Sequence, residues 1–287
     1  MPQAPVGAYS PNEIWYWNGM PLSTSYYNVA TFGGSRFGVP TGRGQDYQVP
    51  YRAGQLWRPK YPDERTITLN MWTDSQMSAN QSYPAADPRR AFNDNWQALR
   101  AAFFTRGAQG GLQGQLQRNW YWTLNGTPTM VTSTAMAEIA GSMDPSMNGR
   151  TSAAFSVDLL LNDPFFYGAP RTQAVTTAGG TINAYGEGVV GEGFPSAVNA
   201  FTISITAACT VANTTAGVSV THSGAGVATW PVTIDPLHYT AVDAVGNNVV
   251  GGITHAGSRM WQCLVSGANL ITVSAGTATW LWHDAYI

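Results

Sequence analysis

The chain has 287 residues and a formal net charge of -2, and only 10% of its residues are charged, against roughly 25% in an ordinary soluble protein. This length predicts two domains, because single cores stop growing near ~250–300 residues. The scattered arginines form no basic stripe, which argues against nucleic-acid binding, and no apolar run approaches the ~20 residues of a membrane-spanning helix.

The segment 33–63 is rich in Gly, Pro, Tyr and Arg and shows no sustained hydrophobic period. It is too long to be an ordinary connection in a compact domain. We therefore predict that this segment is a functional arm or loop.

Two strands and one helix are predicted in the rest of the first part. Apolar and polar residues alternate along 65–73 and again along 151–161, which is typical of half-buried strands. The helix is predicted over 88–105, because Asp87 can cap it, Pro88 suits its first turn and Gly107 follows it. Its apolar stripe needs a sheet to cover it, so we expect a β-sandwich with one packed helix. The stripe consists of Phe92, Trp96, Leu99 and Phe103.

The distribution of charge changes near residue 169. Thirteen of the fourteen basic residues lie within 1–171, and only Arg259 follows. We therefore predict one domain over 1–168 and another over 169–287. Short Thr/Val/Ala runs separated by Gly and Asn predict a second β-sandwich; these runs are 200–206, 217–222, 229–234, 259–264, 270–274 and 277–283.

No cofactor or metal site is predicted. The glycines at 186, 188 and 191 fit the spacing of a dinucleotide-binding loop, but Gly193-Phe194-Pro195 follows where the required helix should begin. The histidines match no compact zinc pattern, and we expect ordinary strand or loop residues at His222, His238, His255 and His283.

Catalysis is not expected either. No nucleophile elbow is present, and neither cysteine carries a nucleophile signature. Glycoside hydrolysis would need two carboxylates facing one cleft, and nothing in the sequence brings the candidates together. Those candidates are Glu187, Glu192, Asp235 and Asp243.

The cysteines and tryptophans each leave two interpretations. The N-terminus lacks the features of a secretory signal, so we expect a cytoplasmic origin, where Cys209 and Cys263 stay free and buried rather than forming a disulfide.

The tryptophan pairs put two rings on one strand face. Such rings could form a sugar platform, but a core or subunit interface is favoured. The pairs are Trp15/Trp17, Trp120/Trp122 and Trp280/Trp282.

The order of several short segments resembles the siphophage distal tail, or minor tail, protein family. The segments are the loop 48–54, the strand at 63–69, the helix around Trp96, the closing stretch 161–167, and the final stretches 267–273 and 280–287. This resemblance implies a mainly β fold, with a tail-tube-like N-terminal β-sandwich that carries one helix and a galectin-like C-terminal β-sandwich. The His, Asn and Arg signature of sugar-binding galectins is not evident near His222, His238 or Trp230.

The resemblance also implies a function. Six copies would close into a ring at the tail tip of the virion, below the tail tube protein and above the hub and other tip proteins, with the tape measure protein as a further contact. The arm would wrap a neighbouring subunit, and Tyr51, Trp57 and Tyr61 are its candidate contacts. Two alternatives remain: a carbohydrate-binding tail module that touches the host envelope, and a tail-bound glycan hydrolase.

Overall fold

The protein forms two compact units, Met1–Phe166 and Tyr167–Tyr286. The computed structural model describes residues 13–24, 27–29, 42–43, 47–48, 55–56, 61–62, 64–75, 87–104, 113–124, 127–141, 143, 145–147, 151–184, 201–235, 238–256, 264–265 and 267–286. The described residues are mainly in strands and include one α-helix, so the predicted fold class is confirmed. No helix among them is long and apolar enough to cross a membrane.

The first unit contains twelve of the described strands. They are β1 (Glu13–Trp17), β2 (Met20–Pro21), β3 (Tyr27–Val29), β4 (Gly42–Arg43), β5 (Tyr47–Gln48), β6 (Gln55–Leu56), β7 (Tyr61–Pro62), β8 (Arg65–Thr73), β9 (Gln113–Leu124), β10 (Thr127–Ile139), β11 (Ser146–Met147) and β12 (Ala153–Leu161), with α1 (Pro88–Phe104) between β8 and β9.

The main sheet of this unit has the order β2-β1-β9-β10-β12-β8-β3. Its described pairings are antiparallel, and β8 pairs with β12 along its whole length, from Arg65 opposite Leu161 to Thr73 opposite Ala153. Alternate residues of both strands are buried, because successive side chains of a strand point to opposite faces. Both strands predicted from alternation are therefore present.

A tight turn connects β1 to β2. Asn18 and Gly19 both have positive φ, 49° and 80°, as a two-residue type I′ hairpin turn requires. The turn also fits closely against β9: a Cβ on Gly114 would lie 2.6 Å from the Trp17 ring. Only glycine can occupy that position without a shift of its neighbours.

Helix α1 begins and packs as predicted. The Asp87 carboxylate accepts hydrogen bonds from the N–H groups of Arg89 and Arg90 at 3.0 and 3.2 Å, which caps the helix. Phe103 lies 6.0 Å from the Trp17 ring, and Trp96 meets Phe155 edge-on at 5.2 Å. The helix therefore contacts both β1 and β12. It ends at Phe104, and Gly107 lies outside the described residues.

The predicted arm contains two short antiparallel ladders. Gly42 and Arg43 pair with Pro62 and Tyr61, while Tyr47 and Gln48 pair with Leu56 and Gln55. The second ladder is nested inside the first in sequence. The described parts of the arm are thus two antiparallel pairs, and the outer pair brings the two ends of the arm, at Gly42 and Pro62, side by side.

The second unit is a β-sandwich. Its strands are β13 (Phe166–Thr176), β14 (Gly180–Ala184), β15 (Phe201–Ile205), β16 (Cys209–Asn213), β17 (Val218–His222), β18 (Val232–Asp235), β19 (Thr240–Val242), β20 (Ile253–Ala256), β21 (Gly267–Val273) and β22 (Thr277–Tyr286). One layer has the order β19-β18-β15-β22-β13, and the other is β14-β21-β16-β17-β20. Buried side chains from both layers form one core, as expected for sheets packed face to face.

The predicted strands of this unit were incomplete. Five of the six predicted runs overlap an observed strand, but the run 259–264 does not: residues 257–263 lie outside the described part, and Leu264 is buried in a segment without regular structure. The run 229–234 starts late, at Val232, because Pro231 offers no N–H to a ladder. Five observed strands of this unit, β13, β14, β16, β19 and β20, overlap none of the predicted runs.

Candidate functional site

The predicted interface residues fall largely beyond what the structure describes. Tyr51 and Trp57 lie outside the described residues. Tyr61 belongs to β7, where its backbone pairs with Arg43. The role of these three residues in subunit contacts therefore stays a prediction.

The four candidate carboxylates are not seen to form a catalytic pair. Glu187 and Glu192 lie outside the described residues. Asp235 lies next to Thr240 at one end of the β18–β19 ladder, whereas Asp243 follows the other end, where Val242 pairs with Thr233. The Asp235 carboxylate instead binds His238, with 2.6 Å between Oδ2 and Nδ1.

Asp243 is part of a hydrogen-bonded turn. Its side chain accepts bonds from the N–H groups of Asn247 and Val245 at 2.8 and 3.1 Å, from the Asn247 amide at 3.0 Å and from the Ala228 N–H at 3.1 Å. Burial opposes ionisation, but these bonds outweigh it and lower the pKa of Asp243 from 3.8 to about 2. A carboxylate held so firmly in its ionised form is unsuited to be the proton donor of a glycosidase.

Three of the four histidines, His222, His238 and His283, bond to nearby groups of the fold. His222 is buried: its Nδ1 accepts the Gly224 N–H at 3.0 Å, so Nε2 donates to the Val249 carbonyl at 3.1 Å. His283 contacts the Gly168 carbonyl at 2.9 Å, and His255 is exposed on β20. In the described part of the chain, no group of three or more His, Cys, Asp or Glu side chains could hold a metal ion.

The described tryptophan pairs belong to the cores. Trp15, Trp17, Trp280 and Trp282 are each at most 2% exposed. A sugar platform needs ring faces that a ligand can reach, so the sugar-binding interpretation is wrong for these four rings. Trp120 is also buried, and the side chain of Trp122 is not described.

Of the two cysteines, the structure describes Cys209 but not Cys263. Cys209 is buried and free, as expected, and burial raises the pKa of its thiol, which disfavours a reactive thiolate. Cys263 lies outside the described residues, so the prediction of a second free thiol remains open.

An ion pair lies on the inward side of β1 and β9. The Arg118 Nε donates to a Glu13 carboxylate oxygen at 2.7 Å, and the two side chains are only 4% and 11% exposed. The guanidinium carbon lies 4.8 Å from the centre of the Trp120 ring and 5.7 Å from that of Trp15, within the range of cation–π attraction. Sequence patterns did not predict this cluster, because its partners are far apart along the chain.

The outward side of β1, β9 and the first part of β10 carries uncharged side chains, with Glu138 following Met136 on the same side of β10, and we call its uncharged part the neutral face. It consists of the outward residues at 14–16 on β1, 115–119 on β9 and 130–136 on β10. Its central rows are Ile14–Asn119–Thr132 and Tyr16–Gln117–Thr134, and Gln115 lies opposite Met136. Met130 and Met136 are 55% and 59% exposed.

A second charged cluster lies within the second unit. The Arg171 guanidinium donates to Asp284 at 2.8 Å and lies 5.2 Å from the centre of the Trp282 ring. The Trp282 indole N–H donates to the other oxygen of Asp284 at 3.2 Å. Both carboxylate oxygens of Asp284 thus bind side chains of the same unit, and the cluster ties β13 to β22.

Comparison with known proteins identifies the fold but no sequence family. No family model matches the chain, and no curated protein matches it in sequence. Two structures of the phage P2 baseplate in its activated conformation, with Ca and with Sr, align at 6% and 7% identity and a TM-score of 0.39, over 95% of this chain and 98% and 97% of those chains. The crystal structure of the SPP1 Dit protein aligns over 96% of this chain and 99% of that chain, at 11% identity and a TM-score of 0.58. That protein is described as a paradigm of the hub adsorption apparatus in phages that infect Gram-positive bacteria. The chain therefore has the fold of the SPP1 Dit protein.

Proposed function

We propose that this chain is a structural protein of a long-tailed bacteriophage, a distal tail protein whose ring joins the tail tube to the tail tip. One observation carries the proposal: the alignment with the SPP1 Dit protein spans both units and nearly the whole of both chains. A match confined to one sandwich would support a shared domain only. Here the alignment extends over both units.

In this proposal, six copies close head to tail through heterologous contacts, because a ring must match the symmetry of the tube above it. The domain 1–168 is tail-tube-like and forms the ring, and the galectin-like domain 169–287 decorates it. The protein contacts the tail tube protein, the hub and the tape measure protein, and its lumen lets the genome pass. The small share of charged residues suits a protein whose surface is permanently covered.

The side chains described above support an adaptor rather than an enzyme. The Asp243 carboxylate is occupied by hydrogen bonds within its own turn, and the buried tryptophans offer no sugar platform. An adaptor needs surfaces and a stable shape but no reacting group. Neither alternative, sugar-binding module or hydrolase, is favoured by a specific observation.

The proposal is tested by the mass of the purified protein in solution, measured by light scattering, together with negative-stain images. We expect six-fold rings with a central hole. A chain that stays monomeric at every concentration would contradict the proposal. Rings with another number of copies would still support the adaptor role but would show that the symmetry is not six-fold.

A further inference from the structure

His222 is a buried imidazole whose two ring nitrogens bind the backbone of two different segments. The residue is 1% exposed. Its Nδ1 accepts the Gly224 N–H at 3.0 Å, and its Nε2 donates to the Val249 carbonyl at 3.1 Å. Because a backbone N–H can only donate, Nδ1 carries a lone pair and the ring proton lies on Nε2. The two bonds exist together only while the ring is neutral.

The ring also ties the β17–β18 loop, 223–231, to the backbone around Gly252. Ser223, the first residue of this loop, donates to the Gly252 carbonyl from its N–H at 2.9 Å and from its hydroxyl at 3.2 Å. Trp230, near the end of the loop, meets the imidazole edge-on with 6.0 Å between the ring centres. On the other side, a Cβ on Gly252 would lie 2.8 Å from the imidazole. Close packing thus holds the ring of His222 in one orientation while the loop is in place.

The elements packed around His222 place few titratable groups near it in the described part of the unit. Strand β16 places Cys209 opposite the histidine, and burial raises the pKa of that thiol, while β20 places an apolar side chain beside it. The β17–β18 loop and the turn 249–252 contain no charged residue. Asp243 bonds to this loop, but its oxygens bind the Ala228 N–H and the turn that Asp243 itself closes. A second proton on His222 would therefore create a buried charge without a bonded anion, which is costly.

We propose that His222 is a pH-sensitive switch, and that protonation of its ring releases the β17–β18 loop from the backbone around Gly252. The second proton can reside only on Nδ1, where it removes the acceptor of the Gly224 N–H and sets two donors against each other. When the loop opens, the ring reaches water and takes up the proton without this loss. Protons therefore bind preferentially to the open form, and a falling pH favours it. The switch lies within one unit and does not depend on the proposed ring.

Hydrogen–deuterium exchange of the full chain, measured by mass spectrometry, tests the switch. An imidazole in water titrates near pH ~6.5, and each further unit below that favours the open form by up to about tenfold. Amide protection is compared at about pH 7.5 and about pH 5, after correction for the effect of pH on exchange itself. We expect protection of the β17–β18 loop to fall at least tenfold at the lower pH, while β15, in the other layer of the sandwich, keeps its protection. Equal protection of the loop at both pH values, or an equal loss in β15, overturns the proposal.

Histidine variants separate His222 from the other histidines of the chain, which all lie in the same unit. His222→Gln keeps an uncharged acceptor and donor but takes up no proton in this range, so we expect the protection of its loop to be the same at both pH values. The matched controls are His238→Gln, His255→Gln and His283→Gln, and each should keep the full response of the wild type. A His222→Gln chain that still responds, or a control that loses the response, overturns the proposal. Circular dichroism establishes folding. If His222→Gln does not fold, the wild type and the three controls decide, because a response kept in every control leaves His222 as its source.

Discussion

At the scale of single residues, buried polar side chains of this protein are bound mainly to nearby backbone groups. Asp243 closes its turn by bonding Asn247 and Val245, and His222 joins Gly224 to Val249. Buried polar groups need such partners, since an unpaired one costs about 1–3 kcal/mol. Asp243 and His222, which were candidates for chemistry in the sequence, therefore hold the local backbone in place.

We expect Asp243→Asn to lower the thermal unfolding midpoint of the second unit at neutral pH. The amide cannot accept at both ends of the group, so the bonds from Ala228 and Val245 cannot both be kept. Calorimetry measures the midpoint. An unchanged midpoint would show that the turn does not depend on this carboxylate.

The pH dependence of the same variant provides the control. The pKa of Asp243 is about 2 in the folded protein and 3.8 ordinarily, so the folded state binds fewer protons. Its stabilisation is therefore present above about pH 4 and is lost as the pH falls toward 2. We expect the wild type to lose this contribution in that window, and Asp243→Asn to show a flatter profile there.

At the scale of elements, the spacing of apolar residues predicted the most regular strands and the helix. The strands at 65–73 and 151–161 and helix α1 were found because their apolar residues alternate or recur at helical spacing. The β9–β10 hairpin was missed because Gly114 and Arg118 occupy inward places of β9 where an aliphatic residue is usual. One local signal was available: Asn125-Gly126, a dipeptide typical of hairpin turns, separates the two strands in sequence.

Adjacent phenylalanines test the packing of α1. Phe103 is 2% exposed and contacts Trp17, whereas Phe104 is 46% exposed. We expect Phe103→Ala to lower the free energy of unfolding of the first unit by about 3–5 kcal/mol, and Phe104→Ala to change it by about 0.5 kcal/mol or less. Urea denaturation measures both. Similar losses in the two variants would mean that the helix does not pack as described.

At the scale of the whole molecule, the fold is shared with a protein that is only 11% identical. Sequence could predict a two-part, mainly β chain, because the alternation of apolar residues and the change in charge distribution can be seen along the chain itself. It could not predict the Glu13–Arg118 pair or the neutral face, because both depend on which strands become neighbours. Strand pairing joins distant parts of the chain, and no local pattern records it.

We expect that the arm can be removed without disturbing Gly42 and Pro62, the residues between which it begins and ends. Gly42 and Pro62 are paired across the outer ladder, and paired residues lie about 5 Å apart, so a short glycine linker can replace residues 43–61. We expect the shortened chain to fold with an unchanged unfolding midpoint but to remain monomeric by light scattering, because the segment proposed to wrap a neighbour is gone. Rings of unchanged mass would exclude the arm as an assembly element.

The interior tryptophans give each unit an optical signal of its own. Trp15 and Trp17 lie in the first unit and Trp280 and Trp282 in the second, all shielded from water. Indole emission shifts to longer wavelength when water reaches the ring, so the opening of either core changes the colour of the fluorescence without any added dye. Replacing one pair by phenylalanine would remove the part of the signal that comes from that core, and the difference from the unsubstituted protein would report when that core opens.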